Sequence, residues 1–176
     1  MKDEEQPSIT NTAVVLVGHG RMATDTPTEL ITEFRRARLA PAMSLNLEDL
    51  ETRIRNWPRT ETTDPYKSGL ERIADALANE MPGTRVATAF NEFCAPSIHD
   101  AVARLVDEGV QSISLVTTMF TPGGNHAERD LPAAVHKIQE AHPSLAIRYV
   151  WPFPMKAIAS FLAESIEMTK TETDAI

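Results

Sequence analysis

The sequence predicts an α/β domain of three layers, α/β/α, built on a four-stranded parallel sheet in the order 2-1-3-4, with a helical insertion after the first strand. Three observations predict it. Short apolar runs rich in β-branched residues recur along the chain, amphipathic helical patterns separate them, and glycines and prolines mark the joints. Strands alternating with helices imply a parallel sheet covered on both faces by right-handed crossovers.

The first strand is "AVVLV" at 13–17. A long connection from Arg21 to Ser68 follows, with helical patterns at about 28–39 and 44–56 and then the loop "WPRTETTDPYKSG"; it reads as a helical insertion, about 22–66, over one edge of the domain. A helix on Leu70, Ile73, Ala74, Leu77 and Ala78 leads to a weaker strand, "TRVATAF" at 84–90. The next helix rests on Ile98, Ala101, Val102, Leu105 and Val106, and the third strand is "SISLVTT" at 112–118. Leu131, Ala134, Val135 and Ile138 carry another helix before the strand "LAIRYVW" at 145–151, and Met155, Ile158, Ala159, Leu162 and Ile166 carry the last one. Each helical set has the i, i+3, i+4, i+7 spacing of one buried face. Gly83 and Gly109 suit helix C-termini, Pro96 and Pro132 suit first helical turns, and Asp130 fits an N-cap.

The chain of 176 residues is expected to form one domain, 12–168, between disordered tails at 1–11 and 169–176. Its acidic, polar start "MKDEEQPSITNT" is unlike a secretory signal, and no apolar run approaches the roughly 20 residues of a membrane span, so a cytoplasmic protein without a membrane partner is expected. A formal net charge of -8 argues against nucleic acid, whose affinity rests on clustered Lys and Arg. The one cysteine, Cys94, excludes an internal disulfide framework and a zinc ribbon.

Ligands of parallel sheets collect beyond the carboxyl ends of the strands, where strand order reverses. With order 2-1-3-4 that point lies between the first and third strands. There "VGHGR" places His19, between two glycines, and "TPGGNH" brings His126, while Glu92 of "FNEF" leaves the second strand beside His19. Two imidazoles and a carboxylate can hold a first-row divalent ion loosely or accept protons near neutral pH. Other readings stand beside this one: a tight turn with a capping histidine, or a phosphate cradle in "PGGN". Gly18 stands where a histidine phosphatase has arginine, and the cradle lacks both the P-loop ending and the dinucleotide spacing, so no nucleotide is expected. Glu128 faces the same mouth, Met119 and Phe120 line crevice or core, and His99, His136 and His142 read as surface or partly packed residues. Six arginines of the insertion (Arg35, Arg36, Arg38, Arg53, Arg55, Arg59) share it with acidic residues, five of them on its two helical patterns (Glu29, Glu33, Glu48, Asp49, Glu51), which suits a solvated helical surface or a site for substrate carboxylates.

Taken in order, Gly-His-Gly after the first strand, Glu-x-x-x-Pro-Ser-Ile after the second and Gly-x-His-x-x-x-Asp-Leu-Pro after the third resemble the small class II tetrapyrrole chelatases, the sirohydrochlorin cobaltochelatase and ferrochelatase family (CbiX/SirB-like), over roughly residues 12–160. The resemblance implies a chelatase-like half domain that inserts Co2+, Fe2+ or Ni2+ into sirohydrochlorin or a related tetrapyrrole without ATP. By motif it implies metal binding and proton acceptance by His19 and His126, with Glu92 as the acidic partner. It further implies tetrapyrrole contacts at Gly123, Gly124 and Arg21, and a homodimer that pairs two halves around one cavity. The alternative is a non-catalytic metal- or tetrapyrrole-delivery protein on the same scaffold. Two departures stand out: the family runs from Gly-His-Gly through Ser-Arg into its first helix, whereas Arg21, Met22 and the insertion intervene here, and "TMFTPGG" is more polar than the usual Phe-Leu-Phe run.

Overall fold

The structure is a computed structural model that describes residues 11–40 and 46–173. Its elements are β1 (Thr12–Gly18), α1 (Thr28–Leu39), α2 (Leu47–Arg55), α3 (Pro65–Glu80), β2 (Arg85–Phe90), α4 (Ile98–Asp107), β3 (Ser112–Thr117), α5 (Leu131–Ala141), β4 (Ala146–Tyr149) and α6 (Met155–Thr173). The sheet runs β2-β1-β3-β4 and every pairing is parallel, with Val15 of β1 level with Ala87 of β2 and Leu115 of β3. The predicted order and class both hold.

Alternation along the central strands decides which layer each side chain joins. Val15, Val17, Ile113 and Leu115 point to the face covered by α4 and α5, where they meet Ile98, Val102, Leu105, Leu131 and Ile138. Leu16 points the other way, onto Leu70 and Ala74 of α3 with Phe90 and Cys94. Each fully buried aliphatic side chain contributes about 1.5–3 kcal/mol of transfer free energy, so the first and larger cluster is the main source of stability. The insertion has a separate core: Leu30, Phe34 and Ala37 of α1 pack on Leu50 and Ile54 of α2, and Phe93 from beyond β2 joins them. That last contact fastens the insertion over the carboxyl end of the sheet.

Five local expectations need correction or a boundary. Pro96 is not in the first turn of α4; it precedes Ser97, which forms a capping box with Asp100. Asp130 is not an N-cap: it has helical dihedrals and makes no capping bond, because the helix runs back unbroken to His126 as one π-helical turn. Pro132 has no N–H to donate, and the Leu131 N–H reaches back to His126 O, widening the turn. Finally, α6 continues to Thr173, into the stretch expected as a C-terminal tail from residue 169, whereas residues 1–10, most of the expected N-terminal tail, lie outside the described residues together with 41–45, where the second insertion helix was expected to begin. Among the described residues no helix is long and apolar enough to cross a membrane.

Candidate functional site

Three side chains meet at the carboxyl ends of β1, β2 and β3: ligand atoms of His19, Glu92 and His126 all lie within 4.8 Å of one another. Each is set in place by its own piece of backbone. Of the two glycines of Gly-His-Gly, Gly20 is required, with φ +87° against the Glu92 carbonyl, while a Cβ on Gly18 would press 2.8 Å from Leu70 Cδ2 and 3.1 Å from the Tyr66 hydroxyl, side chains that can shift. The Tyr66 hydroxyl accepts the His19 N–H at 2.8 Å. The ladder between β1 and β2 then continues past the strands, with Asn91 N–H donating to Gly18 O at 3.0 Å and Glu92 N–H to His19 O at 2.9 Å. Glu92 is thereby zipped alongside His19.

The loop beyond Glu92 turns sharply, since Phe93 has φ +59° and Cys94 N–H donates to Glu92 O at 2.7 Å. Arg59 holds this turn from the insertion side. Its guanidinium donates to Phe93 O, to Arg21 O at 2.9 Å and to the buried Asp64 carboxylate at 2.5 Å. His126 starts the π-helical turn, whose position is fixed by the Tyr149 hydroxyl donating to Ala127 O at 2.9 Å. Burial, and after it the negative charge of Glu128, push the Tyr149 hydroxyl up to about 12, so it stays a donor.

The two imidazoles face each other with Nε2 atoms 3.1 Å apart and rings edge to face at 79°. Their far nitrogens decide where the protons sit. His19 Nδ1 lies 2.7 Å from Gly20 O, and a carbonyl can only accept, so this nitrogen carries the ring proton. His126 Nδ1 lies 2.6 Å from Asp130 Oδ2 and is likewise the donor, and the Asn91 amide group 2.9 Å from the same nitrogen then turns its oxygen, not its NH2, toward that proton. In the neutral rings both Nε2 lone pairs therefore point at each other. Two lone pairs at this distance repel, and the pair is relieved by one shared proton or by a cation that both can reach at about 2.0–2.1 Å.

The site opens onto a cleft of about 830 Å3 lined by His19, Gly20, Met22, Phe34, Leu39 and Phe93, with Arg21, Arg35 and Arg38 around it. Arg38 Nη2 donates to Glu92 Oε1 at 3.0 Å, whereas Arg21 and Arg35 have no carboxylate within 4 Å among the described residues. Gly123 and Gly124 do not line this cleft. The Gly123 N–H instead donates to Glu128 Oε1 at 2.6 Å, closing the turn before His126. Of the remaining arginines, Arg59 is interior, Arg55 reaches Cys94 O at 3.4 Å and Arg53 pairs with Asp49 on the surface. Sequence reasoning grouped Arg38 with the other insertion arginines without pairing it to Glu92, and passed over Tyr66, Asn91 and the orienting role of Asp130. Only the last left a signal, the His126–Asp130 spacing of i, i+4 on a helix.

The CbiX family model matches residues 62–168, more than half of the chain. The chain belongs to the CbiX family. The match takes in Glu92 and His126, while His19 precedes it and meets them through the fold. A sirohydrochlorin ferrochelatase of Priestia megaterium is 26% identical to this CbiX-family chain over 84 residues, covering 47% of this chain and 31% of that protein. A sirohydrochlorin cobaltochelatase of Methanopyrus kandleri is 32% identical over 69 residues, covering 39% of this chain and 48% of its own. The match thus spans less than half the length of each of these relatives. A solved structure, that of a putative cobalamin biosynthesis CbiX protein from Marinobacter aquaeolei VT8, superposes with a TM-score of 0.52 at 17% identity over 89% of this chain and 98% of that one, which shows the shared fold.

Proposed function

We propose that this chain is a metal chelatase that inserts Co2+ or Fe2+ into sirohydrochlorin or a closely related tetrapyrrole, without ATP. The observation that carries the reading is the pair of Nε2 atoms 3.1 Å apart beside Glu92, at the mouth of a cleft of about 830 Å3. The activities named for the two relatives support the substrate, and the local arginines of an otherwise acidic chain suit a macrocycle rimmed with carboxylates.

The chemistry exchanges one dication for two protons. The ion is first held by the Nε2 atoms of His19 and His126, with Glu92 as an oxygen ligand. A planar macrocycle enters the cleft against Phe34 and Phe93 and presents its pyrrole nitrogens to the ion. As the ion passes to the ring nitrogens, two N–H bonds break, and the histidine lone pairs that the ion vacates accept the two protons. Charge is conserved throughout. Asp130 and Gly20 O hold the rings in the tautomers that this exchange needs, and two imidazolium rings at such close range then shed their protons to water and reset the site. A closed four-ligand cage would retain the metal; an open set of three ligands lets it go.

Metal identity follows supply more than affinity, because nitrogen and oxygen ligands obey a general divalent order. Association of two copies belongs to the same reading: α6 exposes Phe161, Leu162, Ile166 and Met168, an apolar surface of the kind a partner chain covers. The test is to mix the protein anaerobically with sirohydrochlorin and Co2+, Fe2+ or Ni2+ and follow the absorbance change against a protein-free control. A saturable acceleration is expected. Saturable binding with no acceleration would falsify the chelatase reading.

A further inference from the structure

We propose that Arg38, on the helical insertion, is a positioning and specificity residue that ties a peripheral carboxylate of the macrocycle to Glu92. The proposal rests on the chelatase reading of the same cleft. It starts from an ion pair between segments far apart in the chain: Arg38 Nη2 lies 3.0 Å from Glu92 Oε1, so a residue of α1 is bonded directly to a member of the candidate metal cluster. The bond uses one edge of the guanidinium. Glu92 is 22% exposed but Arg38 is 53% exposed, and Arg38 lines the cleft, so its remaining donors are open to a ligand there.

Two aromatic rings flank that fork. The guanidinium carbon lies 5.8 Å from the Phe34 ring centre and 5.9 Å from the Phe93 ring centre, and the two rings meet edge to face at 6.0 Å. An arginine resting beside two rings, with one carboxylate already bound, has its outer edge free to take a second. A carboxylate of the macrocycle docked there would stand at a set distance from Glu92 and the histidine pair. The inserted helix would then read the rim of the substrate while steadying the group that handles its metal. Arg35 lies one turn earlier on α1, at the same cleft and without a carboxylate partner among the described residues, and extends the rim recognition.

The experiment uses the full chain as wild type, R38K, R38M, E92Q and R38M/E92Q. It measures steady-state Co2+ insertion, and separately the dissociation constant of metal-free sirohydrochlorin by absorbance titration. R38M is expected to raise both KM and the dissociation constant about tenfold and to lower kcat; R38K, which keeps the charge and loses the planar fork, should recover binding in part but not kcat. In the E92Q background R38M should still weaken binding by the same factor yet cause no further loss of kcat, since that loss acts through Glu92. An active wild type with R38M binding and KM within about twofold of it overturns the proposal, as does an undiminished kcat loss in the E92Q background. If the wild type binds the macrocycle but inserts no metal, the chelatase reading fails by itself, and the dissociation constants of R38M and R38K decide recognition by Arg38.

Discussion

The carbonyl oxygen of Glu92 stands where a side chain on residue 20 would have to go: a Cβ built on Gly20 lies 1.9 Å from that oxygen, at a backbone φ of +87°. Steric fit and dihedral both demand glycine. Replacing Gly20 with alanine is therefore expected to force Glu92 away from His19, destabilise the fold by about 1–3 kcal/mol and lower metal affinity. Denaturant unfolding checks the first effect and Co2+ titration the second; an alanine variant with wild-type stability and affinity would contradict this packing.

Asp130 touches His126 and is 43% exposed, so its part in stability is small and its part in orienting the ring is not. Asp130→Asn keeps the shape and removes the charge that fixes the proton on Nδ1. Co2+ affinity is expected to fall about 10–100-fold, the range seen when outer partners of metal-binding histidines are changed, while the thermal midpoint stays within a few degrees. Calorimetric titration beside a thermal melt reads both.

Arg59 and Asp64 form an ion pair with side chains 6% and 1% exposed, and Arg59 also holds the Phe93 carbonyl. Removing either partner strands the other charge in the interior. Arg59→Met is expected to cost about 3–5 kcal/mol and to loosen the turn that carries Glu92, so that activity falls with stability. Urea unfolding of the variant gives the number; a change below about 1 kcal/mol would mean the pair is not isolated from water.

Cys94 is fully buried and its thiol is pushed up to about 11, first by desolvation, with Arg59 partly opposing. The proton is held more tightly in the folded state than in the unfolded chain. Its contribution to stability is thus complete below the ordinary thiol value of 9.0 and is lost as pH rises through about 11. At about pH 8 a disulfide reagent is expected to leave the native thiol untouched and to label it rapidly in urea. Fast labelling of the native protein would contradict its burial.

The sheet was legible because each strand is a compact β-branched run between helical periodicities, and the parallel order followed from their alternation. The convergence of His19, Glu92 and His126 was legible for a related reason: each follows the carboxyl end of a neighbouring strand. Asp130 was misread because an acidic residue before Leu131 and Pro132 has the look of a helix start, whereas the helix accommodates the proline by widening one turn. The pairing of Arg38 with Glu92 left no trace in local pattern, since nothing short of the fold brings α1 over the end of β2. The same holds for Arg59, one of six arginines that look alike in sequence and have separate fates in space.

The central claim is that the His19 and His126 Nε2 atoms share one divalent ion. Anaerobic Co2+ titration of the tetrapyrrole-free protein, read by its visible ligand-field bands and by X-ray absorption, tests it most directly. One ion per chain with two nitrogen ligands at about 2.0–2.1 Å, lost on His19→Ala and on His126→Ala while the far-ultraviolet circular dichroism is unchanged, is the predicted result. Binding of equal strength and identical spectrum in both alanine variants would contradict it.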